Sequence, residues 1–128
     1  MIYRTMLKSK IQRATVTDAN IDYEGSVTID ADILNAADII EHEKVHILNL
    51  TNGNRLETYA IAGAAGSGEI CINGAAAKLV KKGEKVIILT YAAVPENKTA
   101  AHPAKVVSVN AKNEIVAVKE KGAAFNLC

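Results

Sequence analysis

Glu43-Lys44-Val45-His46-Ile47-Leu48 returns downstream as Glu84-Lys85-Val86-Ile87-Ile88-Leu89, and this repetition organises the chain. Both copies are rich in Val, Ile and Leu, as strands that bury one or both faces are. Working outward, each copy follows a short helical pattern. Each helix in turn follows a strand, ending Ile29-Asp30 or Ile72-Asn73. Two copies of strand, short helix, strand predict a pseudo-two-fold β-barrel. Closure would also remove the exposed edges that many short strands otherwise leave.

The flanking sequence fills in the remaining elements. Residues 2–17 carry the β-formers of one or two strands, and Asp18 to Gly25 is turn-like. Ser26 to Ile29 is a short strand. Asp30 is a candidate N-cap for a helix over Ala31 to Ala37, with Ile33, Leu34 and Ala37 on one face. Val45 to Thr51 and Arg55 to Ile61 flank Asn52-Gly53, a hairpin signal. A small-residue loop, Gly63 to Gly68, precedes a strand at Glu69 to Ile72 and a helix at Ala75 to Leu79, stopped by Gly83. Val86 to Ala92 is a buried strand. Two more strands, Lys105 to Val109 and Ile115 to Val118, follow a loop around Pro95 and Pro103, and a disordered tail is expected from about Glu120.

Composition narrows the class. The 128 residues suffice for one domain with a real core. With 49% apolar residues, no Trp and one Phe, that core must come from Ile, Val, Leu and Ala, leaving the four tyrosines for other duties. A net charge of +1 with interspersed signs lacks the basic stripe of a nucleic-acid binder. Arg4 interrupts the apolar run a signal peptide needs, and Val86 to Val94 is far short of the roughly 20 residues that span a bilayer. Two cysteines make no disulfide framework. Cys71 is expected to be a small buried hydrophobe and Cys128 a frayed end. A cytoplasmic protein engaging neither membrane nor nucleic acid is expected.

Conventional catalytic motifs are absent: no G-x-S-x-G, Walker A, C-x-x-C or H-E-x-x-H occurs. His42 and His46 have helical metal-ligand spacing but straddle a helix end and a strand, so no metal site is expected. Gly66-Ser67-Gly68 opens no helix and is weak as a phosphate loop. Tyr23-Glu24-Gly25-Ser26, opening a strand, gains meaning from its company. That company is Arg4-Thr5-Met6-Leu7, Lys10, Thr51-Asn52-Gly53-Asn54-Arg55, Thr58-Tyr59-Ala60-Ile61 and Asn73-Gly74-Ala75-Ala76-Ala77. Over residues 1 to about 95 these motifs, in this order and spacing, resemble the pyruvoyl-dependent aspartate 1-decarboxylases, which make β-alanine for pantothenate.

The resemblance implies a double-psi β-barrel with short helices, assembled as a homotetramer. It implies self-cleavage between Gly25 and Ser26, spontaneous or assisted by a maturation factor, into residues 1–25 and 26–128. The Ser26 hydroxyl attacks the Gly25 carbonyl, and the resulting ester eliminates to dehydroalanine. Hydrolysis then leaves a covalent pyruvoyl cofactor. Such a ketone forms a Schiff base with the substrate amine and serves as an electron sink that no side chain provides. Gly25 suits a strained backbone approach, and Thr58 is the candidate donor to its carbonyl oxygen. Arg55 is the natural clamp for the carboxylate of L-aspartate, with Lys10 adding charge. Tyr59 is the candidate proton donor to the carbanion. Thr58, Gly74, Ala75 and Ala76 are implied substrate contacts.

Two departures from the family pattern concern loops. Gln12 stands where a histidine is frequent, and Ala64-Ala65 replaces a charged pair. Other readings stay open at this point: a decarboxylase of another acid such as glutamate, a non-catalytic double-psi binding module, or a DNA-binding barrel, the poorest given the charge.

Overall fold

A computed structural model describes residues 1–122, the last two by backbone alone. The strands are β1 (Tyr3–Thr15), β2 (Asp18–Asn20), β3 (Ser26–Asp30), β4 (Lys44–Asn49), β5 (Arg55–Gly63), β6 (Ile70–Asn73), β7 (Lys85–Pro95), β8 (Pro103–Val109) and β9 (Ile115–Gly122). Helix α1 (Ala31–Ala37) follows β3, and 3₁₀ turns lie at Gly74–Lys78 and Glu96–Lys98. The sheet order is β2-β6-β3-β5-β4-β7-β1-β8-β9, with parallel pairs β2–β6, β3–β5 and β1–β8. Beyond β1, Val16 and Thr17 bridge towards the other end of the sheet. Val16 N–H donates to Glu84 O and Thr17 N–H to Ile70 O. The result is mainly β and barrel-like with short helices, in keeping with the expected double-psi barrel.

The repeat is a structural two-fold. In β4–β7, Ile47 faces Ile88, its equivalent in the other copy, and His46↔Leu89 is mirrored by Leu48↔Ile87. In β3–β6 the centre is Thr28↔Cys71, flanked by Val27↔Ile72 and Ile29↔Ile70. Inward alternation along these strands buries Val27, Ile29, Val45, Ile47, Ile70, Ile72, Val86 and Ile88 completely. Ile33, Leu34 and Ala37 of α1 close the same core, the face predicted from the sequence.

Several expectations change. Asp18 to Asn20 is a strand rather than turn, because β6 offers it a parallel partner. The hairpin strand beginning near Val45 ends at Asn49, since Asn49 turns its backbone and side chain to the Asn52-Gly53 turn. The helix over Ala75 to Leu79 is a 3₁₀ turn from Gly74, too short for an α-helical ladder, with Leu79 N–H bonded to Ala76 O. β7 outruns Val86 to Ala92 because β1 pairs along its whole length. β9 continues through Glu120 to Gly122 by pairing with β8, so the expected tail is corrected there. Residues 123–128, Cys128 included, lie outside the described residues.

Asp30 ties the frame together. Its carboxylate, 3% exposed, accepts N–H bonds from Asp32 as N-cap of α1 and from Gly66 and Gly68 of the small-residue loop. Those loop N–H groups are thus taken by an internal anion rather than offered to a phosphate. Burial pushes the Asp30 pKa up, but the backbone donors Gly68, Asp32, Gly66 and Ile33 outweigh it and hold the carboxyl below its ordinary range. A depressed folded pKa contributes stability that is present above the unfolded value and lost as pH falls through the folded one. Asp30→Asn is therefore expected to destabilise the fold by about 1.5–3 kcal/mol at pH 7. Urea unfolding of variant and parent across pH should show the difference shrinking as pH drops below about 4.

Candidate active site

The β3–β6 ladder sets Ser26 opposite Asn73 and Thr28 opposite Cys71. Directly opposed residues share a face, so these four side chains meet on one side of the ladder. They line an open cavity of about 430 Å³ together with Tyr23, Glu24, Tyr59, Ile61 and Glu69. Ser26 is 6% exposed and Asn73 equally so. Asn73 Nδ2 donates to Ser26 Oγ at 3.0 Å and to Thr28 Oγ1 at 3.2 Å, while Cys71 Sγ donates to Asn73 Oδ1 at 3.3 Å.

Asn73 is the functional side chain that sequence reasoning missed. It precedes the Gly74 turn yet makes no capping bond, because its amide is committed across the sheet. Cys71 is buried as expected but is more than a small hydrophobe. Burial first, then the charges of Asp18 and Glu69, push its thiol pKa up, so it stays an S–H donor.

Gly25 precedes this quartet on an exposed loop, and no atom lies within 4 Å of where its Cβ would be. Gly74 is its seat. At φ +74°, an added Cβ on Gly74 would fall 2.7 Å from Gly25 Cα and 2.8 Å from Gly25 N. Both are backbone atoms, so only glycine lets the Tyr23–Gly25 loop settle on the 3₁₀ turn. Ala75 is exposed and Ala76 half-buried beside it.

The other expected residues lie on the outer sheet face. Register links Lys10 to Leu89, Leu89 to His46 and His46 to Glu57, so all four share a face. Alternation along β5 adds Arg55 and Tyr59 to it. Arg55 lines a second cavity of about 430 Å³ with Thr5, Lys44, His46 and Tyr91. Tyr59 lines the Ser26 cavity, and four residues of strand separate it from Arg55 by roughly 13 Å. Neither Lys10 nor Arg55 lines the Ser26 cavity. Among the described residues, neither enters a salt bridge, whereas Glu57 pairs with Lys44 at 3.1 Å and approaches His46 at 3.7 Å. The Lys44 hydrogen bond and charge hold the Glu57 carboxyl below its ordinary range. Thr58 falls on the opposite face of β5, between buried Leu56 and Ala60, and lines neither cavity.

Residues 2–116 match the family profile described as aspartate decarboxylase. The chain belongs to the aspartate decarboxylase family. An aspartate 1-decarboxylase of Dehalococcoides mccartyi (strain 195) is 55% identical over 122 residues, covering 95% of this chain and 98% of the relative. Relatives of the same name from Myxococcus xanthus (59% identical, covering 88% of this chain and 87% of the relative) and Bacillus subtilis (52%, covering 89% and 90%) agree. The family match thus runs past Pro95, where the motifs thin out. Within the family frame Gly74 separates two effects. Gly74→Ala and Gly53→Ala both place alanine at positive φ, but only Gly74 meets backbone. Urea unfolding is expected to show a loss of about 1 kcal/mol for Gly53→Ala and clearly more for Gly74→Ala.

Proposed function

We propose that this aspartate decarboxylase family member cuts its own backbone between Gly25 and Ser26 and then decarboxylates L-aspartate to β-alanine and CO2. The observation that carries the proposal is the Ser26 hydroxyl, held under the Asn73 amide at the head of β3, beside an unobstructed Gly25. The Ser26 Oγ–H proton leaves as Oγ bonds to the Gly25 carbonyl carbon. The Gly25–Ser26 C–N bond breaks and the freed nitrogen takes the proton. Elimination removes the Ser26 α-proton and expels the Gly25 carboxylate. The enamine so formed shifts a proton from nitrogen to Cβ to become an imine, and water then releases the nitrogen as ammonia, leaving a pyruvoyl group on residue 26.

The surroundings fit that group. Residue 26 opens onto a cavity with room for a small acid, and Asn73 Nδ2 stands within hydrogen-bond reach of its side chain. Such a ketone at residue 26 would supply a Schiff-base partner for the substrate amine and an electron sink for the loss of CO2. The chain's own residues do the rest. Tyr59, at the cavity wall, is placed to return a proton to the substrate carbon. Arg55 and Lys10 supply uncommitted positive charge for the carboxylates. The Gly74-Ala75-Ala76 turn offers backbone contacts next to Ser26. For the cleavage step, Thr58 is the hydroxyl that the family resemblance assigns to the Gly25 carbonyl oxygen.

Neither Arg55 nor Lys10 lines the Ser26 cavity of its own chain. We therefore read the working site as completed by a neighbouring copy, in a homotetramer whose interface brings one copy's Arg55 and Lys10 to another's Ser26. The enzyme works in the cytoplasm on this reading, where its thiol stays reduced. Its β-alanine serves pantothenate synthesis.

Intact mass of the denatured protein tests the cleavage. Two species, residues 1–25 and a pyruvoyl-headed 26–128, are expected for the parent, and one uncut inactive species for Ser26→Ala. An active Ser26→Ala would sink the proposal. A parent that stays whole, even after warm incubation with cell extract to supply any maturation factor, would mark a non-catalytic barrel. Arg55→Ala is expected to raise KM for aspartate about 10- to 100-fold with less effect on kcat. Unchanged saturation would remove Arg55 from the site, and faster turnover of glutamate would reassign the substrate.

A further inference from the structure

Cys71 has no part in the chemistry described so far, yet its thiol touches the side chain that holds the nucleophile. The Asn73 amide has a donor end and an acceptor end, and both are fully engaged. Nδ2 faces the hydroxyls of Ser26 and Thr28, and Oδ1 faces Cys71 Sγ. Turned over, the amide would aim Oδ1 at two hydroxyls and its NH2 at a sulfur, a poor acceptor. The hydroxyls tolerate either arrangement, since each donates or accepts by rotating. The thiol does not, because it is far better as donor than as acceptor towards an amide. We propose that Cys71 is a positioning residue for self-cleavage: its S–H bond to Oδ1 locks the Asn73 amide with NH2 towards Ser26 Oγ. The inference rests on the self-cleavage proposed above.

The orientation matters to the reacting atom. With Nδ2–H donating to it, Ser26 Oγ keeps its own proton free to leave. The same donor then stabilises the negative charge that builds on Oγ. With the amide reversed, the Ser26 proton is pinned to Oδ1, a neutral oxygen that does not take it, and no donor meets the oxygen as its proton departs. Although the cluster lines an open cavity, Asn73 is only 6% exposed and Cys71 8%, which limits how far water can substitute for the lost partner. Thr28 reinforces the lock without deciding it, because its hydroxyl satisfies either end of the amide.

The test is a time course of cleavage by intact mass for the parent, Cys71→Ala and Cys71→Ser. Cys71→Ala is expected to slow cleavage about tenfold or more, since a buried acceptor is left unpaired. Cys71→Ser restores a donor and should recover a rate within about threefold of the parent, a rescue that mere packing would not produce. Cleavage of Cys71→Ala at the parent rate, or equal slowing in both variants, would overturn the inference while leaving the self-cleavage reading intact. A parent that never cuts would take both down. Should Cys71→Ala not fold, infrared spectroscopy decides. In Ser26→Ala, Cys128→Ala protein, Cys71 is the sole thiol of a chain without the nucleophile. Its S–H stretch should lie at the lower frequency of a bonded thiol and rise when Asn73→Ala is added. A stretch indifferent to Asn73→Ala would rule out the lock.

Discussion

Pairing of β3 with β6 about the Thr28–Cys71 centre governs the site. Antiparallel register leaves no freedom in which side chains oppose one another, and a slip of one residue would turn the whole set to the other face. Here it places Ser26 against Asn73 and gathers a hydroxyl, a second hydroxyl, an amide and a thiol on one side. The other side of the same two strands is core, with Val27, Ile29, Ile70 and Ile72 entirely buried. Hydrophobic burial thus fixes the register, and the register fixes the polar cluster.

The same symmetry sets two different side chains in equivalent places. Asp30 and Asn73 are equivalents, each closing the strand before a short helical turn. The Asp30 carboxylate can only accept, so it gathers the N–H groups of Gly66 and Gly68 and clamps its neighbouring loop. Asn73 carries an NH2, so it turns to the hydroxyls of Ser26 and Thr28 instead. The loop at Gly25, the counterpart of Gly68, is left seated on Gly74 without an anion gripping its amides. One atom's difference in the side chain separates a loop clamp from an amide that faces two hydroxyls.

Outside that cluster the sheet acts as a rigid ruler. β5 carries Arg55, Glu57, Tyr59 and Ile61 along one face, and Thr58 turns away. Glu57 is occupied by Lys44, leaving Arg55 as a cation without an ion-pair partner among the described residues. Four residues of strand set Arg55 and Tyr59 on different cavities of that face.

Much of this was legible in the sequence. The repeat of Glu43–Leu48 at Glu84–Leu89, the Asn52-Gly53 hairpin, the N-cap at Asp30 and the inward face of α1 are local patterns, set by periodicity and turn chemistry. Gly25-Ser26, Arg55 and Tyr59 stand out in the sequence only as members of the motifs that carry the family resemblance. Other features depended on tertiary structure because they arise between segments distant in the chain. Asn73 is only a strand end and a motif member until β6 is laid against β3, and Cys71 reads as a hydrophobe until its neighbour's amide is seen. Asp18 to Asn20 becomes a strand only where β6 supplies a partner. Gly74 looks like any helix-initiating glycine until the Gly25 backbone rests on it. Local sequence determines what each segment can form; register and long-range contact decide which polar groups meet.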